Sequence, residues 1–201
     1  MNNNSVTQDI QFIKSMIQQT REVVAGAWMF LLVWGILVIV AIAVQFGLVY
    51  LTLYNFIWLD WVVFAVSGVT FSVLYSKKLR LRKKVKTYLD DVVGVVVLAS
   101  AMGFLLSGFV FPLLGLYSWA VIPVLIAMVA GFLTFVFGGI YEWALLKWCG
   151  VIWWAGAVLM SFLPPQYRSL AFIPLILIGY IWPALSLRAK YYRQQEARHA
   201  R

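Results

Sequence analysis

The chain has 201 residues, 64% of them hydrophobic and 11% charged, with 16 Lys and Arg against 7 Asp and Glu for a formal charge of +9. Its mean hydropathy is +0.90. Soluble domains are about 45–50% apolar and about 25% charged, so a water-soluble globule, a disordered tail, a collagen-like rod and a disulfide scaffold are all excluded. The single cysteine, Cys149, cannot pair within the chain and reads as a buried, inert thiol.

Residues 1–26 are polar, and Asn2, Asn3 and Asn4 stand where a leader would carry cations, so no cleavable signal is expected. Ser5-Val6-Thr7-Gln8 has capping-box spacing. Ile10, Ile13, Ile17 and Val24 recur at helical intervals, with Gln11, Lys14, Gln18 and Arg21 on other faces. The pattern predicts an amphipathic helix over roughly residues 5–25 that lies on a membrane or against a partner. A plain helical lead-in to the first span fits it equally well.

About 20 apolar residues cross roughly 30 Å of hydrocarbon. Six stretches qualify: Ala27 to Tyr50, Phe56 to Tyr75, Val92 to Leu114, Trp119 to Gly139, Trp143 to Leu163 and Ser169 to Leu187. The connections at Leu51–Asn55, Gly115–Ser118 and Pro164–Arg168 are short, which makes consecutive helices antiparallel neighbours. The expected fold is all-α and polytopic, with six transmembrane helices arranged as three antiparallel hairpins behind the N-terminal amphipathic helix. Residues 1–26 form a cytoplasmic segment, 27–187 the transmembrane domain and 188–201 a basic cytoplasmic tail.

Orientation follows from the basic residues. Lys14 and Arg21, the loop cations Lys77, Lys78, Arg80, Arg82, Lys83, Lys84 and Lys86, then Lys147, and the tail cations Arg188, Lys190, Arg193, Arg198 and Arg201 all fall on one side of alternating helices. Arg168 alone falls on the other. Both termini are therefore expected in the cytoplasm, with Trp28, Trp143 and Trp182 at the inner interface and Trp58, Trp61, Trp119 and Tyr167 at the outer one.

Internal repetition is hinted at twice. Leu31-Leu32-Val33-Trp34-Gly35 resembles Leu145-Leu146-Lys147-Trp148-Cys149-Gly150, and Ile122-Pro123-Val124-Leu125-Ile126 resembles Ile173-Pro174-Leu175-Ile176-Leu177. An apolar alphabet also generates such matches freely. Gly94, Ala99, Ser100, Ala101, Gly103, Ser107 and Gly108, with Gly131, Gly138 and Gly139, allow close helix approach. Pro123, Pro174 and Pro183 are expected to loosen the fourth and sixth helices. The deep indoles of Trp34, Trp153 and Trp154 need acceptors such as Gln45, Ser161 or a carbonyl.

Intramembrane charge marks function by default, and here it is scarce. Asp60 stands on the outer turn of its span between Trp58 and Trp61, a candidate protonatable or cation-binding group that also reads as an interfacial carboxylate. Glu142 and Lys147 bracket the start of the fifth span as a candidate gate, or as a snorkelling lysine beside a glutamate. Asp90 and Asp91 open the third span, where a helix N-terminus favours negative charge. The seven cations from Lys77 to Lys86 are candidate contacts for anionic lipid headgroups, and they also serve as a topology signal without any ligand. No aromatic residues interleave them, so nucleic acid is not an expected partner. The single histidine, His199, lies in the tail, and its position removes histidine-dependent hydrolysis, haem ligation and zinc binding from the bundle. No enzyme activity, metal or cofactor is expected.

The stretch Trp28-Met29-Phe30-Leu31-Leu32-Val33-Trp34-Gly35 behind its lead-in, with Gly179-Tyr180-Ile181-Trp182-Pro183-Ala184 at the other end, resembles small six-span bacterial inner-membrane proteins of uncharacterised function. Some of these are encoded beside winged-helix regulators. The layout is similar, on topology, to small bacterial stress-associated membrane proteins. The resemblance implies no catalytic or binding residues. The expected function is a non-enzymatic inner-membrane module that binds lipid or protein partners as sensor, scaffold or regulatory subunit. A second copy of the chain is among the candidate partners, and a small transporter or channel subunit is the alternative.

Overall fold

Each apolar run forms a helix and stops where its backbone can be capped. The computed structural model describes residues 28–82 and 88–189, and every regular element among them is helical. α1 is Trp28–Tyr50. α2, Ile57–Arg82, follows a tight turn at Tyr54–Phe56. α3 runs Tyr88–Leu105 and continues through a π turn, Leu106–Val110, into a last turn at Phe111–Leu113. α4 is Ile122–Ile140 behind a 3-10 turn at Trp119–Val121, and α5 is Ala144–Ser161. α6 is Pro165–Ala189, with a second π turn at Leu177–Ile181. All six are long and apolar enough to cross a bilayer, the make-up of a multi-pass membrane protein. The expected amphipathic helix over 5–25, the basic tail beyond Ala189, and Lys83, Lys84 and Lys86 lie outside the described residues.

Three boundaries differ from the sequence expectation by four residues or more, and one of them is the start of the third helix, at Tyr88 rather than Val92. The sixth helix starts at Pro165 rather than Ser169, because proline at the first helical position gives up an N–H that has no intrahelical acceptor there. The second runs past Tyr75 to Arg82, since Lys, Leu and Arg are good helix formers once the chain has left hydrocarbon.

Three helices end in the same six-residue wrap, the Schellman motif. After α1, Thr52 N–H reaches Val49 O and Leu53 N–H reaches Leu48 O. After α3, Gly115 reaches Pro112 and Leu116 reaches Phe111, and after α4, Glu142 reaches Gly139 and Trp143 reaches Gly138. The motif requires a left-handed residue, and the three have φ of +59° at Thr52, +73° at Gly115 and +51° at Glu142. Only the glycine takes that conformation without strain.

Both π turns precede a proline in matching sequence: Gly108-Phe109-Val110-Phe111-Pro112 and Gly179-Tyr180-Ile181-Trp182-Pro183. Each proline cannot donate to the carbonyl of the glycine four residues back, and its ring crowds that carbonyl, so one widened turn absorbs the conflict. In both places the carbonyl just before the glycine accepts from a side chain elsewhere. Tyr117 Oη donates to Ser107 O at 2.5 Å, and Cys149 Sγ donates to Ile178 O at 3.6 Å. This device is what the chain repeats. The expected likeness around Pro123 and Pro174 has no structural counterpart, for Pro123 sits harmlessly in the first turn of α4 whereas Pro174 lies inside α6. Pro123 therefore does not loosen the fourth helix.

Hydrocarbon gives apolar helices no hydrophobic reason to associate, so contact depends on how closely backbones can approach. Among the helices from α2 to α6, α4 and α5 make the most extensive contact, a seam that a division into three hairpins would place between two units. Glycines line it. A Cβ on Gly150 would stand 2.7 Å from Phe135 Cβ and 2.8 Å from Phe135 N, one on Gly138 would stand 2.5 Å from Lys147 N, and one on Gly131 would overlap the Trp154 ring. Gly156 and Gly179 bring α6 against α5 through Leu175 and Trp153. The small residues of α3 contribute less than their number suggests: Gly103 and Gly108 face Val129 and Ile126 of α4, but Gly94 meets nothing and Ala99 and Ala101 are exposed.

The core gathers Ile42 of α1, Ala127 and Ala130 of α4, Trp153, Ala157 and Met160 of α5, and Phe172 and Ile176 of α6. α2 joins it directly through Trp61 and through α1, with the Trp34 ring lying over Gly68, against Phe64, and donating from Nε1 to Ser72 Oγ at 3.0 Å. The outer faces, including Val63, Val66, Val95, Leu98 and Leu159, expose large apolar side chains that only hydrocarbon would cover.

Candidate functional site

Contacts between helix ends define two rims. At one, Phe30 of α1 meets Tyr75 of α2 with ring centroids 4.9 Å apart, Arg188 of α6 lies 5.5 Å over the Trp28 ring, and Gly138 of α4 abuts Lys147 of α5. At the other, Arg168 of α6 ties three chain ends together: its Nε donates to Leu163 O at 3.0 Å, Nη1 to Ala120 O at 3.1 Å and Nη2 to Ser161 O at 3.3 Å. The one cation that breaks the charge pattern is thus a staple between the C-terminal end of α5, whose last carbonyls lack intrahelical donors, and the turn before α4.

The first rim, the basic rim, carries every described charged side chain except Asp60 and Arg168. α2 emerges here, and Phe71 and Tyr75, one turn apart, stack at 5.5 Å while Phe30 meets both edge-on. This aromatic wedge sets α1 and α2 apart at their ends and leaves a cleft of about 160 Å³ lined by Met29, Tyr75, Lys78 and Leu79. Lys77 and Lys78 are both exposed, and in the last turns of a helix their charge complements the carbonyl end of the dipole. Neither makes a hydrogen bond or ion pair among the described residues. Arg80 and Arg82 continue the helix as backbone. The structure therefore brings Lys78 into a cleft together with Met29, a residue that sequence reasoning had no cause to single out, since only the α1–α2 register places it there.

Asp90 and Asp91 lie in the first turn of α3, where the helix N-terminus favours carboxylates. Beside them, in the turn after α4, burial pushes the Tyr141 hydroxyl up to about 12, with the negative charge of Asp90 adding to the shift. Sequence reading missed Tyr141, because its partner is 51 residues away and only the packing of α3 on α4 joins them. Glu142 and Lys147 are both exposed. Glu142 holds the left-handed turn position and Lys147 presents its backbone to Gly138, so turn geometry and helix approach account for both positions.

At the other rim, Tyr50, Tyr54, Trp58, Trp119 and Tyr167 are exposed as an aromatic belt. Trp61 is not part of it; the ring turns inward, against Phe64 and the core. Asp60 is in the first turn of α2, half-buried, with Oδ2 shielded and without a protein partner. Burial raises Tyr117, in the turn before α4, above its usual value.

The deep indoles divide. Trp34 finds Ser72, and Trp154 finds Met128 O at 3.2 Å, while Trp153 Nε1 is enclosed against Gly179 without an acceptor. Gln45 and Ser161 serve none of them: Gln45 Oε1 is itself unpartnered and Ser161 donates to Val158 O. Trp154 floors an apolar groove of about 330 Å³ on the outer face of α4 and α5. Among the described residues, no three His, Cys, Asp or Glu side chains gather closely enough to hold a metal ion. No protein-family model, curated protein or solved structure matches this chain.

Proposed function

We propose that the protein is a non-catalytic module of a bacterial inner membrane, with both termini cytoplasmic and its helices in three consecutive antiparallel hairpins, that works by binding at its basic rim. Anionic lipid headgroups are the first partner, and a cytoplasmic or membrane protein held as by a sensor or regulatory subunit is the second. One observation carries this reading. Glycines draw the centre of the bundle into a close-packed apolar core around Trp153 and Ile176, whereas Lys77, Lys78, Lys147 and Arg188 lie at one end, with the cleft beside Lys78. Bulk packing of this kind supports a scaffold, and a basic cytoplasmic edge attracts an anionic leaflet at about 1 kcal/mol per cation near the surface.

The test is reconstitution of the full chain into vesicles, reading ion and proton flux alongside the lipids that copurify. Flux equal to that of empty vesicles, with enrichment of anionic lipid, is expected. Flux that Asp60→Asn or Glu142→Gln abolishes would refute the reading and establish the alternative, a small transporter or channel subunit. That alternative is favoured by the paired π turns in α3 and α6, broken helices of the sort that line transport pathways. Loss of a bound protein on deleting residues 1–25 would identify the N-terminal segment as part of the binding surface.

A further inference from the structure

We infer that the cleft between the first turn of α1 and the last turns of α2 is a discrete site for one anionic glycerophospholipid, with Lys78 holding the phosphate. The inference rests on the proposed lipid-binding role and narrows it from a diffuse basic surface to one pocket. Three features of the cleft match that ligand and no general electrostatic surface. First, Lys78 and Lys77 are adjacent, exposed cations with no hydrogen bond or ion pair among the described residues, yet of the two only Lys78 lines the cavity. Second, the other described lining residues present a thioether, a leucine and the Tyr75 ring, from Met29, Leu79 and Tyr75. They offer apolar surface to a glycerol backbone and the head of an acyl chain, which a soluble phosphate would leave unused. Third, the aromatic wedge of Phe30, Phe71 and Tyr75 sets the separation of the two helices, so the cleft exists before the ligand arrives and the ordering cost of binding falls on the Lys78 side chain. One residue before Met29, the Trp28 ring holds the Arg188 guanidinium 5.5 Å from its centroid, adding a second fixed cation on the same edge.

Binding puts the ammonium of Lys78 on a phosphate oxygen as a point charge, with the lipid tail descending along the outside of the α1–α2 seam. The probe is a phosphatidylglycerol of defined chain length. Full-length protein is purified in a neutral detergent, and retained lipid is counted by native mass spectrometry during titration against phosphatidylcholine. The wild type is expected to hold one phosphatidylglycerol above the phosphatidylcholine background. Lys78→Gln should weaken that occupancy about fivefold, the worth of one cation near a surface, while the charge-matched Lys77→Gln loses less than half as much. Leu79→Trp, which fills the cleft and leaves the charge unchanged, should displace the lipid as well. The unfolding midpoint of each variant in the same detergent confirms that the bundle is intact.

Equal losses from Lys77→Gln and Lys78→Gln, with none from Leu79→Trp, would overturn the pocket and leave the basic rim as a diffuse lipid-binding surface. Absence of any preference for phosphatidylglycerol in the wild type would overturn the lipid reading itself. Displacement of the bound lipid by millimolar inorganic phosphate, with phosphate retained in its place, would assign the cleft to a soluble anion and overturn the phospholipid assignment.

Discussion

Replacing Gly150 by alanine tests whether close backbone approach holds this bundle together. The added methyl would lie 2.7 Å from Phe135 Cβ, 2.8 Å from Phe135 N and 2.9 Å from Phe135 Cα, where ordinary contact begins near 3.4 Å. Two of those atoms are backbone, so no rotamer change relieves the overlap and α4 must move off α5 by about 0.6 Å, the difference between 3.4 and 2.8 Å. Overpacking of that kind costs about 1–3 kcal/mol, and alanine returns roughly 0.5–1 kcal/mol by restricting the unfolded backbone. The net expectation is a loss of up to about 2.5 kcal/mol, centred near 1 kcal/mol. Gly94→Ala is the matched control, since a methyl there meets nothing within 4 Å and only the gain of roughly 0.5–1 kcal/mol remains. Equilibrium unfolding in mixed micelles by titrating a denaturing detergent, followed by tryptophan fluorescence, measures both. If Gly150→Ala is as stable as the wild type while Gly94→Ala gains as expected, the α4–α5 seam is not limited by backbone contact and the packing account fails.

Arg168→Ala removes a donor set shared by three carbonyls, Ser161 at the end of α5, Leu163 in the turn after it and Ala120 before α4; a loss on the order of 2 kcal/mol is expected, and Arg168→Lys should recover less than half of it because one ammonium cannot span the fork. Glu142→Gly relieves a left-handed φ of +51° and should stabilise the protein by about 1 kcal/mol in the same titration; a destabilised variant would mean the carboxylate makes a contact that outweighs the strain. Tyr141 keeps its proton in the folded state up to about 12, whereas an unfolded tyrosine loses it near 10. Folding is therefore unaffected by this group below pH 10 and loses about 1.4 kcal/mol per pH unit between 10 and 12 as the unfolded chain ionises first. Tyr141→Phe should flatten that part of the stability profile, and an unchanged profile would remove the burial of Tyr141 as its cause.

The composition alone determined the class of this protein. Six apolar runs long enough to cross a bilayer leave the chain no soluble alternative, and the helices in fact occupy those runs within a few residues. Turn chemistry was legible where it is local, as at Gly115, and illegible at Thr52 and Glu142, because nothing in a threonine or glutamate announces a left-handed backbone that neighbouring hydrogen bonds impose. What only the tertiary structure decided is which of many similar apolar residues face one another. Of the small residues that the sequence marks for close approach, Gly131 and Gly138 do meet α5, together with Gly150, which it did not mark, while those of α3 contribute less, and the cleft beside Lys78 lies where Phe30, Phe71 and Tyr75 set the register of α1 and α2. Hydropathy carries one piece of information per residue, whether it prefers hydrocarbon, and a leucine facing lipid satisfies that preference as fully as a leucine facing another helix. Partner choice in a bilayer is therefore settled by shape, at distances of a few tenths of an ångström that no pattern of apolar letters encodes.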